Sequence, residues 1–373
     1  MTRNLLLGFG LAALSAASSA HGPIAAATQG TPGRLEAAAT KGLTAVPGLK
    51  VGHHTLTERP TGCTVILVDG AGATGGVSQR GAAPGTRETD LLDPLNMVDK
   101  VNAIVLSGGS AYGLDAAQGT MRYLEERGVG WPVGANGVIP IVPAAIIMDL
   151  GVGGKPTIRP TAECGYRAAQ DASDGVVAEG NIGAGAGATV GKMGRGRPMK
   201  GGVGSAAFTL PNGLVVAALV VVNAVGDVID PTSGRVVAGV RTEDGRHLAD
   251  VRTLIRSGAL TTPRDGQPRP GQNTTIGLVA TNARLSKAEI SRVALMADDG
   301  FARAIAPSHT VGDGDTLFAL ATGSFGGDAP LSIVGALAAD AVAEAIVRAV
   351  SKAQTIGDIA AARDLGTVPA RLQ

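Results

Sequence analysis

The sequence predicts an α/β protein built as a layered sandwich, because strand-like and helix-like segments alternate along most of its length. Apolar runs of strand length recur at residues 64–68, 103–106, 213–223, 236–240 and 275–281. Segments with helical spacing of apolar residues lie at residues 112–126, 162–172, 287–305 and 331–353. Polar turns typical of hairpins, such as residues 211–213 and 242–246, adjoin several strands. A mixed or largely antiparallel sheet therefore fits better than a doubly wound one.

Composition narrows the class of protein. The chain has 373 residues, 32 basic and 31 acidic side chains and a net charge of +1, which gives no electrostatic basis for nucleic-acid binding. Aromatic residues make up only 2%, so the core must be built from Ala, Val, Ile and Leu. The 56 glycines show no collagen-like period and indicate tight turns and backbone-lined sites in an ordered protein.

The cysteines and histidines give no sign of a metal centre. Cys63 and Cys164 are predicted to be small buried thiols, with a disulfide as the alternative in an oxidising compartment. The five His are scattered, and no Cys/His spacing is typical of zinc. We therefore expect neither a metal nor another cofactor.

The N-terminus has the order of features of a secretory signal peptide, predicted over residues 1–20. Arg3 provides the positive charge, an apolar stretch follows from Leu5 to Ala17, and Ser18-Ser19-Ala20 is a small-residue cleavage site. The alternative is a disordered Ala-rich tail. The stretch is too short for a membrane span. Residues 21–41 are predicted to be a flexible lead-in, and the mature protein is predicted to be periplasmic or secreted, or cytoplasmic if the leader is not a signal.

A linker meets a strand at Asn273 and Thr274. Residues 257–273 contain three prolines and three glycines and almost no apolar side chains, whereas residues 274–281 form a buried-strand run. A threonine hydroxyl at the start of a rigid strand can attack the carbonyl before it, and hydrolysis then frees Thr274 as a new N-terminus. Its α-amine, with an ordinary pKa near ~8, can act as general base. The same triplet is also a glycosylation sequon and an ordinary strand entrance.

Four further polar residues could serve such a nucleophile. Asp313 and Asp315 flank a glycine, as in surface turns and calcium loops, but no further ligands follow at calcium-loop spacing. Beside a threonine they would hold its amine and hydroxyl. Asn223 stands at the end of an apolar run. An amide there is usually a turn cap, but beside a nucleophile it would be a hydrogen-bond donor to the oxyanion. Lys192 lies in a glycine-rich stretch, residues 183–196, that lacks the phosphate-loop pattern and is interpreted as backbone lining a site.

Four stretches in this order resemble the self-processing aminopeptidases that include the L-aminopeptidase/D-esterases, the β-peptidyl aminopeptidases and the nylon-oligomer endo-hydrolase. They are GAAPGTRETD at residues 81–90, LSGGSAYGL at 106–114, NTTI at 273–276 and HTVGDGDTLF at 309–318. The similarity runs from about residue 48 to 353, and the NTT and DGD forms are most similar to the nylon-oligomer branch. It implies a four-layered αββα sandwich of the N-terminal-nucleophile type, also seen in ornithine acetyltransferase.

The resemblance also implies roles and partners. Autocleavage at Asn273–Thr274 would give an α subunit, residues 42–273, and a β subunit, residues 274–373, assembled as a homo-oligomer of heterodimers. Thr274 would be the nucleophile, Asp313 and Asp315 would orient and activate it, Asn223 would lie at the oxyanion, and Lys192 beside the site. The substrate would be a small peptide or amide.

One residue departs from the family pattern, and two other functions stay open. The family's active-site tyrosine falls at Met148, which cannot donate a hydrogen bond. This departure bears on the identity of the substrate more than on the type of reaction. One alternative is an acyltransferase of the ornithine acetyltransferase type, which passes the acyl group to an amine. The other is a binding protein on the same fold that never cleaves.

Overall fold

A computed structural model describes residues 41–194, 197–260 and 273–373 of the chain. The predicted signal peptide, all but the last residue of the lead-in, and residues 261–272 of the predicted linker lie outside the described residues. No helix in the described ranges is both long and apolar enough to cross a membrane.

The strands of the described residues are short at the edges and long in the middle of the sheets. In chain order they are β1 Leu49–Thr55, β2 Gly62–Val68, β3 Ala73–Gln79, β4 Thr86–Arg87, β5 Lys100–Val101, β6 Ala103–Ser107, β7 Trp131–Pro132, β8 Val138–Ile139, β9 Ala144–Ile146, β10 Thr189–Val190, β11 Met199–Lys200, β12 Gly202–Thr209, β13 Val215–Asn223, β14 Asp227–Ile229, β15 Val236–Ala238, β16 Thr274–Thr281, β17 Ile305–Ala306 and β18 Thr316–Ala321. The α-helices are α1 Ala116–Glu125, α2 Ala162–Gln170, α3 Val251–Arg256, α4 Lys287–Ala297, α5 Asp299–Ala304 and α6 Leu331–Lys352.

Two large sheets pack face to face between two layers of helices. The first has the strand order β1-β2-β6-β9-β4, and the second has the order β12-β13-β16-β18-β3-β5. Helices α1 and α2 cover the outer face of the first sheet, and α4 and α6 cover the outer face of the second. Most strand pairs are antiparallel, but β16–β18 and β6–β9 are parallel. The structure confirms the predicted αββα sandwich with mixed sheets.

Alternation along the central strands explains why their sequences are apolar throughout. On β13, Leu219 and Val221 face the layer between the sheets, whereas Val220 and Val222 face the helices. A strand covered on both faces has no polar side, so it lacks the alternating pattern of an exposed sheet. Each fully buried Val or Leu contributes about 1.5–3 kcal/mol to folding.

Two predicted features are wrong. Cys63 and Cys164 are not free thiols but form a disulfide that ties β2 to α2, with their Cα atoms 6.2 Å apart. The helix predicted over residues 287–305 is divided into α4 and α5 at Asp298. The backbone of Asp298 stays in the right-handed helical region, and its buried carboxylate accepts a hydrogen bond from the Ser78 hydroxyl at 2.5 Å.

Candidate active site

Thr274 is the first residue of β16, in the middle of the second sheet. The residue is only 2% exposed, and the strand is flanked by β13 on one side and β18 on the other. In the antiparallel pairing with β13, Thr274 lies directly opposite Asn223. Opposed residues in such a pair present their side chains on the same face, so these two predicted site residues are neighbours.

The carbonyl oxygen of Asn273 accepts two hydrogen bonds. One comes from the Thr274 hydroxyl, which folds back on the preceding peptide bond. The other comes from the backbone N–H of Gly314, at 2.9 Å. Asn273 is itself buried, and it forms a parallel bridge with Asp313. A hydroxyl therefore lies against the peptide bond that the sequence predicts to break.

The two predicted carboxylates, Asp313 in that bridge and Asp315 two residues later, are both buried. Asp315 accepts the backbone N–H of Thr275 at 2.7 Å, and its second oxygen accepts the backbone N–H of His309 at 3.1 Å. Asp313 accepts the backbone N–H and the hydroxyl of Thr310 at 2.8 and 2.7 Å. Among the described residues the other Asp313 carboxylate oxygen has no hydrogen-bond partner. Burial and the charge of Asp315 raise the pKa of Asp313 above its ordinary value.

The 81–90 motif is hydrogen-bonded to the backbone of the acidic loop, residues 313–315. Gly81 donates its backbone N–H to the Asp315 carbonyl at 3.2 Å, and Ala83 donates to the Asp313 carbonyl at 2.9 Å. A Cβ atom on Gly81 would lie 2.1 Å from the Asp315 nitrogen, so no larger residue fits there. The motif thus sets the position of the loop through backbone contacts.

Asn223 joins three segments of the site. Its amide oxygen accepts the backbone N–H of Thr189 at 3.0 Å and the Lys192 ammonium at 2.8 Å, and its amide nitrogen donates to the Met148 carbonyl at 3.2 Å. Lys192 also donates to the Asn223 carbonyl at 2.9 Å. Burial lowers the pKa of Lys192 to about 7, although the charges of Asp313, Asp149 and Asp315 oppose that shift.

Met148, which departs from the family pattern, contacts the site through its backbone. Asn223 contacts this residue through its backbone carbonyl, a contact that any side chain at the position would allow. The loop around Met148 is fixed by the next residue, Asp149, which forms a fully buried ion pair with Arg59 at 2.9 Å. Asp149 also accepts the Thr61 hydroxyl at 2.6 Å and the backbone N–H of Gly109 at 2.9 Å. The 106–114 motif and the Met148 loop therefore share one anchor.

Sequence reasoning missed a histidine and its partner behind the acidic loop. His309 Nδ1 lies 2.9 Å from Asp315, and its Nε2 lies 3.3 Å from Asp298, near enough for an ion pair but not aligned as a hydrogen bond. Burial favours the neutral ring, but the hydrogen bond to Asp315 and the charge of Asp298 outweigh it and raise the pKa of His309. His309 lies in the 309–318 motif, which could have indicated that it belongs to the site. Nothing in the sequence indicated Asp298.

These contacts link all five predicted site residues through direct bonds or neighbouring backbone. The site joins a buried hydroxyl, a peptide carbonyl held by a backbone donor, an acidic pair and a buried amide–lysine pair. Such a set can supply a nucleophile, proton acceptors and donors for a negatively charged oxygen. With its αββα sandwich, the chain has the fold of the N-terminal-nucleophile hydrolases.

The chain belongs to peptidase family S58, whose family model matches residues 41–363. It is 44% identical to an uncharacterised aminopeptidase of Mycobacterium leprae, over 87% of this chain and 94% of that protein. It is 34% identical to a 6-aminohexanoate-oligomer endohydrolase of Kocuria sp., over 74% of this chain and 73% of that protein. The protein is thus a hydrolase of peptide or amide bonds, as its similarity to aminopeptidases predicted.

Solved structures show the same fold. The L-aminopeptidase D-Ala-esterase/amidase from Ochrobactrum anthropi, described as a variant of the Ntn hydrolase fold, matches with a TM-score of 0.65 and 21% identity, covering 89% of this chain and 93% of that one. A β-aminopeptidase from Burkholderia sp. matches with a TM-score of 0.61 and 24% identity, covering 86% of this chain and 89% of that one.

Proposed function

We propose that this hydrolase cleaves its own chain between Asn273 and Thr274 and then uses Thr274 as the nucleophile for peptide or amide substrates. The observation that carries the proposal is the Thr274 hydroxyl lying on the Asn273 carbonyl, at a buried strand start beside the acidic loop. In an exposed position, water would compete with the hydroxyl for the hydrogen bond to the carbonyl oxygen. Here the nucleophile and its target are held together before any reaction.

The two reactions require different bases, because the uncleaved chain has no free amine at Thr274. In the uncleaved chain we assign proton acceptance to Asp313, whose raised pKa makes it a stronger base than an ordinary carboxylate. After cleavage the α-amine of Thr274 is available, with an ordinary pKa near ~8. Asp315 holds the strand start through the Thr275 amide, so its role is to orient the new terminus.

During substrate hydrolysis the Thr274 hydroxyl would attack the substrate carbonyl and form an ester, which water then cleaves. Asn223 faces Thr274 across the strand pair, and its amide nitrogen would turn from Met148 to the oxygen that gains charge. Lys192 holds the Asn223 side chain from the other end. Removing one such oxyanion donor typically costs about 3 kcal/mol of barrier.

The decisive measurement is the mass and N-terminal sequence of the purified protein. Wild-type protein should contain a fragment from Thr274 to Gln373 that begins Thr-Thr-Ile-Gly. Thr274→Ala should remain intact and inactive, whereas Thr274→Ser, which keeps a hydroxyl, should be cleaved.

A matched control is available one residue along. Thr275→Val keeps the β-branched shape and the backbone N–H that Asp315 accepts, while the Thr275 hydroxyl has no hydrogen-bond partner among the described residues. This variant should be cleaved as fast as wild type. An intact wild-type chain would instead favour the non-cleaving binding protein, and a cleaved Thr274→Ala chain would assign the nucleophile elsewhere.

The substrate class is tested with a panel of L-, D- and β-amino-acid p-nitroanilides and 6-aminohexanoate oligomers. We expect release of a free acid and an amine. Addition of a second amine as acceptor separates hydrolysis from the acyltransferase alternative, because a transferase would form a new amide in place of the acid.

We also propose that the protein is exported. The Cys63–Cys164 disulfide supports this, because disulfides persist mainly in oxidising compartments. Cell fractionation should find the protein outside the cytoplasm, with the leader removed near Ala20. Recovery of full-length reduced protein from the cytoplasm alone would contradict export.

A further inference from the structure

The Asn273 carbonyl and the Asn223 amide are engaged with different partners. The carbonyl oxygen of Asn273 accepts the backbone N–H of Gly314 at 2.9 Å together with the Thr274 hydroxyl. The amide nitrogen of Asn223 instead donates to the Met148 carbonyl at 3.2 Å. Its amide oxygen accepts hydrogen bonds from Thr189 and Lys192.

We propose that self-cleavage and substrate hydrolysis use different oxyanion donors: the backbone N–H of Gly314 serves the first reaction, and the Asn223 amide serves only the second. The inference rests on the proposed function and extends it, because it makes Gly314 a catalytic residue for self-cleavage. It also predicts that the two reactions can be separated by substitution.

In the first step, the Thr274 oxygen forms a bond to the Asn273 carbonyl carbon, and the carbonyl electron pair moves onto its oxygen. The Gly314 N–H donates to that oxygen as its negative charge develops. When the carbonyl re-forms, the bond to the Thr274 nitrogen breaks, and the nitrogen takes the proton that left the hydroxyl. Water then cleaves the ester, leaving a carboxylic acid on Asn273 and restoring the Thr274 hydroxyl beside a free amine.

Gly314 is held in place from both sides. The carbonyls of its two neighbours, Asp313 and Asp315, accept backbone N–H groups from Ala83 and Gly81. A Cβ atom on Gly314 would lie 2.5 Å from the Ala83 carbonyl oxygen and 3.0 Å from the Thr274 hydroxyl oxygen. Because the first of these contacts is with backbone, it cannot be relieved by rotating a side chain. A side chain at this position therefore requires the backbone of Gly314 or Ala83 to move, which would disturb the contact between the Gly314 N–H and the Asn273 carbonyl.

The test compares the rate of self-cleavage in three variants, followed on denaturing gels and by intact mass after pulse-labelled synthesis. Gly314→Ala should slow self-cleavage by ~10²-fold or more, the usual effect of losing an oxyanion donor. Asn223→Leu should be cleaved at close to the wild-type rate and then lose ~10²–10³-fold in kcat on a p-nitroanilide. Gly326→Ala is the matched control: a Cβ there meets nothing within 4 Å, and both reactions should match wild type.

Folding is checked by circular dichroism and thermal melting of each variant. If Gly314→Ala does not fold, the Asn223 variant still decides whether the Asn223 amide takes part in self-cleavage. If Asn223→Leu does not fold either, Asn223→Asp replaces it, since that variant keeps the oxygen that accepts from Thr189 and Lys192. A folded Asn223 variant that stays intact, or a folded Gly314→Ala chain cleaved at the wild-type rate, would overturn the inference. An uncleaved wild-type chain would instead overturn the proposed function itself.

Discussion

Replacing Asp149 by alanine should lower the free energy of unfolding by about 3–5 kcal/mol, the usual cost of breaking a buried ion pair from one side. Both Asp149 and its partner Arg59 have fully buried side chains. The substitution removes a carboxylate that also accepts from the Thr61 hydroxyl and the Gly109 amide. Among the described residues, the Arg59 guanidinium then keeps the backbone carbonyls of residues 149, 152 and 158, at 2.6–3.3 Å, as its acceptors. These remaining acceptors direct the expected value toward the lower end of the range.

Urea unfolding followed by circular dichroism measures this effect, and an exposed pair supplies the control. Arg303 and Asp340 are joined at 2.6 Å, but their side chains are 46% and 55% exposed. Asp340→Ala should therefore change the free energy of unfolding by at most about 1 kcal/mol. The reasoning is refuted if Asp149→Ala costs no more than Asp340→Ala.

A double substitution tests whether the cost comes from the unpaired charge. Asp149→Ala combined with Arg59→Met removes both charges of this pair and leaves neither partner unpaired, so the double variant should lose less stability than the two single variants added together. Additive losses would mean that packing, rather than the ion pair, determines the stability of this loop. Loss of the anchor should also lower kcat, because the Met148 carbonyl that holds Asn223 belongs to the same loop.

Three further predictions concern stability. Replacing Cys63 and Cys164 by serine should lower the free energy of unfolding by about 2–4 kcal/mol, because the disulfide closes a separation of 101 residues; an unchanged melting temperature in reductant would argue against it. Burial raises the pKa of Asp227 from 3.8 to about 6, so the folded state holds an extra proton between those values and stability should fall as pH rises through them. Asp227→Asn should remove that slope in urea titrations at stepped pH, and parallel wild-type and variant curves would contradict the assignment. Lys200→Met should cost about 2–4 kcal/mol in the same urea assay, since its buried ammonium donates to three backbone carbonyls at 2.8–3.0 Å; a loss under 1 kcal/mol would show that these carbonyls find other donors.

Sequence analysis located the strands and helices in which burial produces a recognisable pattern of apolar residues. The runs that became β13 and β16 are apolar at nearly every position because both faces are covered, and α6 has a helical period over its whole length. Strand β3 was missed because it contains Gly75 and Gly76. A Cβ on Gly76 would lie 2.8 Å from the backbone of α4, so close helix–sheet packing requires a residue that lowers strand propensity.

The residues of the site likewise fall into those that the sequence could indicate and those that it could not. Residues that occur in compact motifs, such as Asp313 and Asp315, could be proposed from sequence. Contacts between distant segments could not. Asp298, just after α4, contacts both Ser78 of β3 and His309, and Arg59 reaches Asp149 across 90 residues. Backbone donors such as the Gly314 N–H carry no residue-type signal, although the glycine itself was visible between the two aspartates. The Cys63–Cys164 pairing is another long-range contact of this kind.

The location of β16 has a consequence for the proposed cleaved form of the chain. This strand is hydrogen-bonded to β13 from Asn223–Thr274 to Val216–Thr281, and to β18 on its other edge. A cut before Thr274 would divide the polypeptide without dividing the sheet. The two fragments would keep a common core on both faces of β16, so dilution would not separate them. They should melt in a single transition, and the new terminus would be a fixed part of the interior rather than a free end.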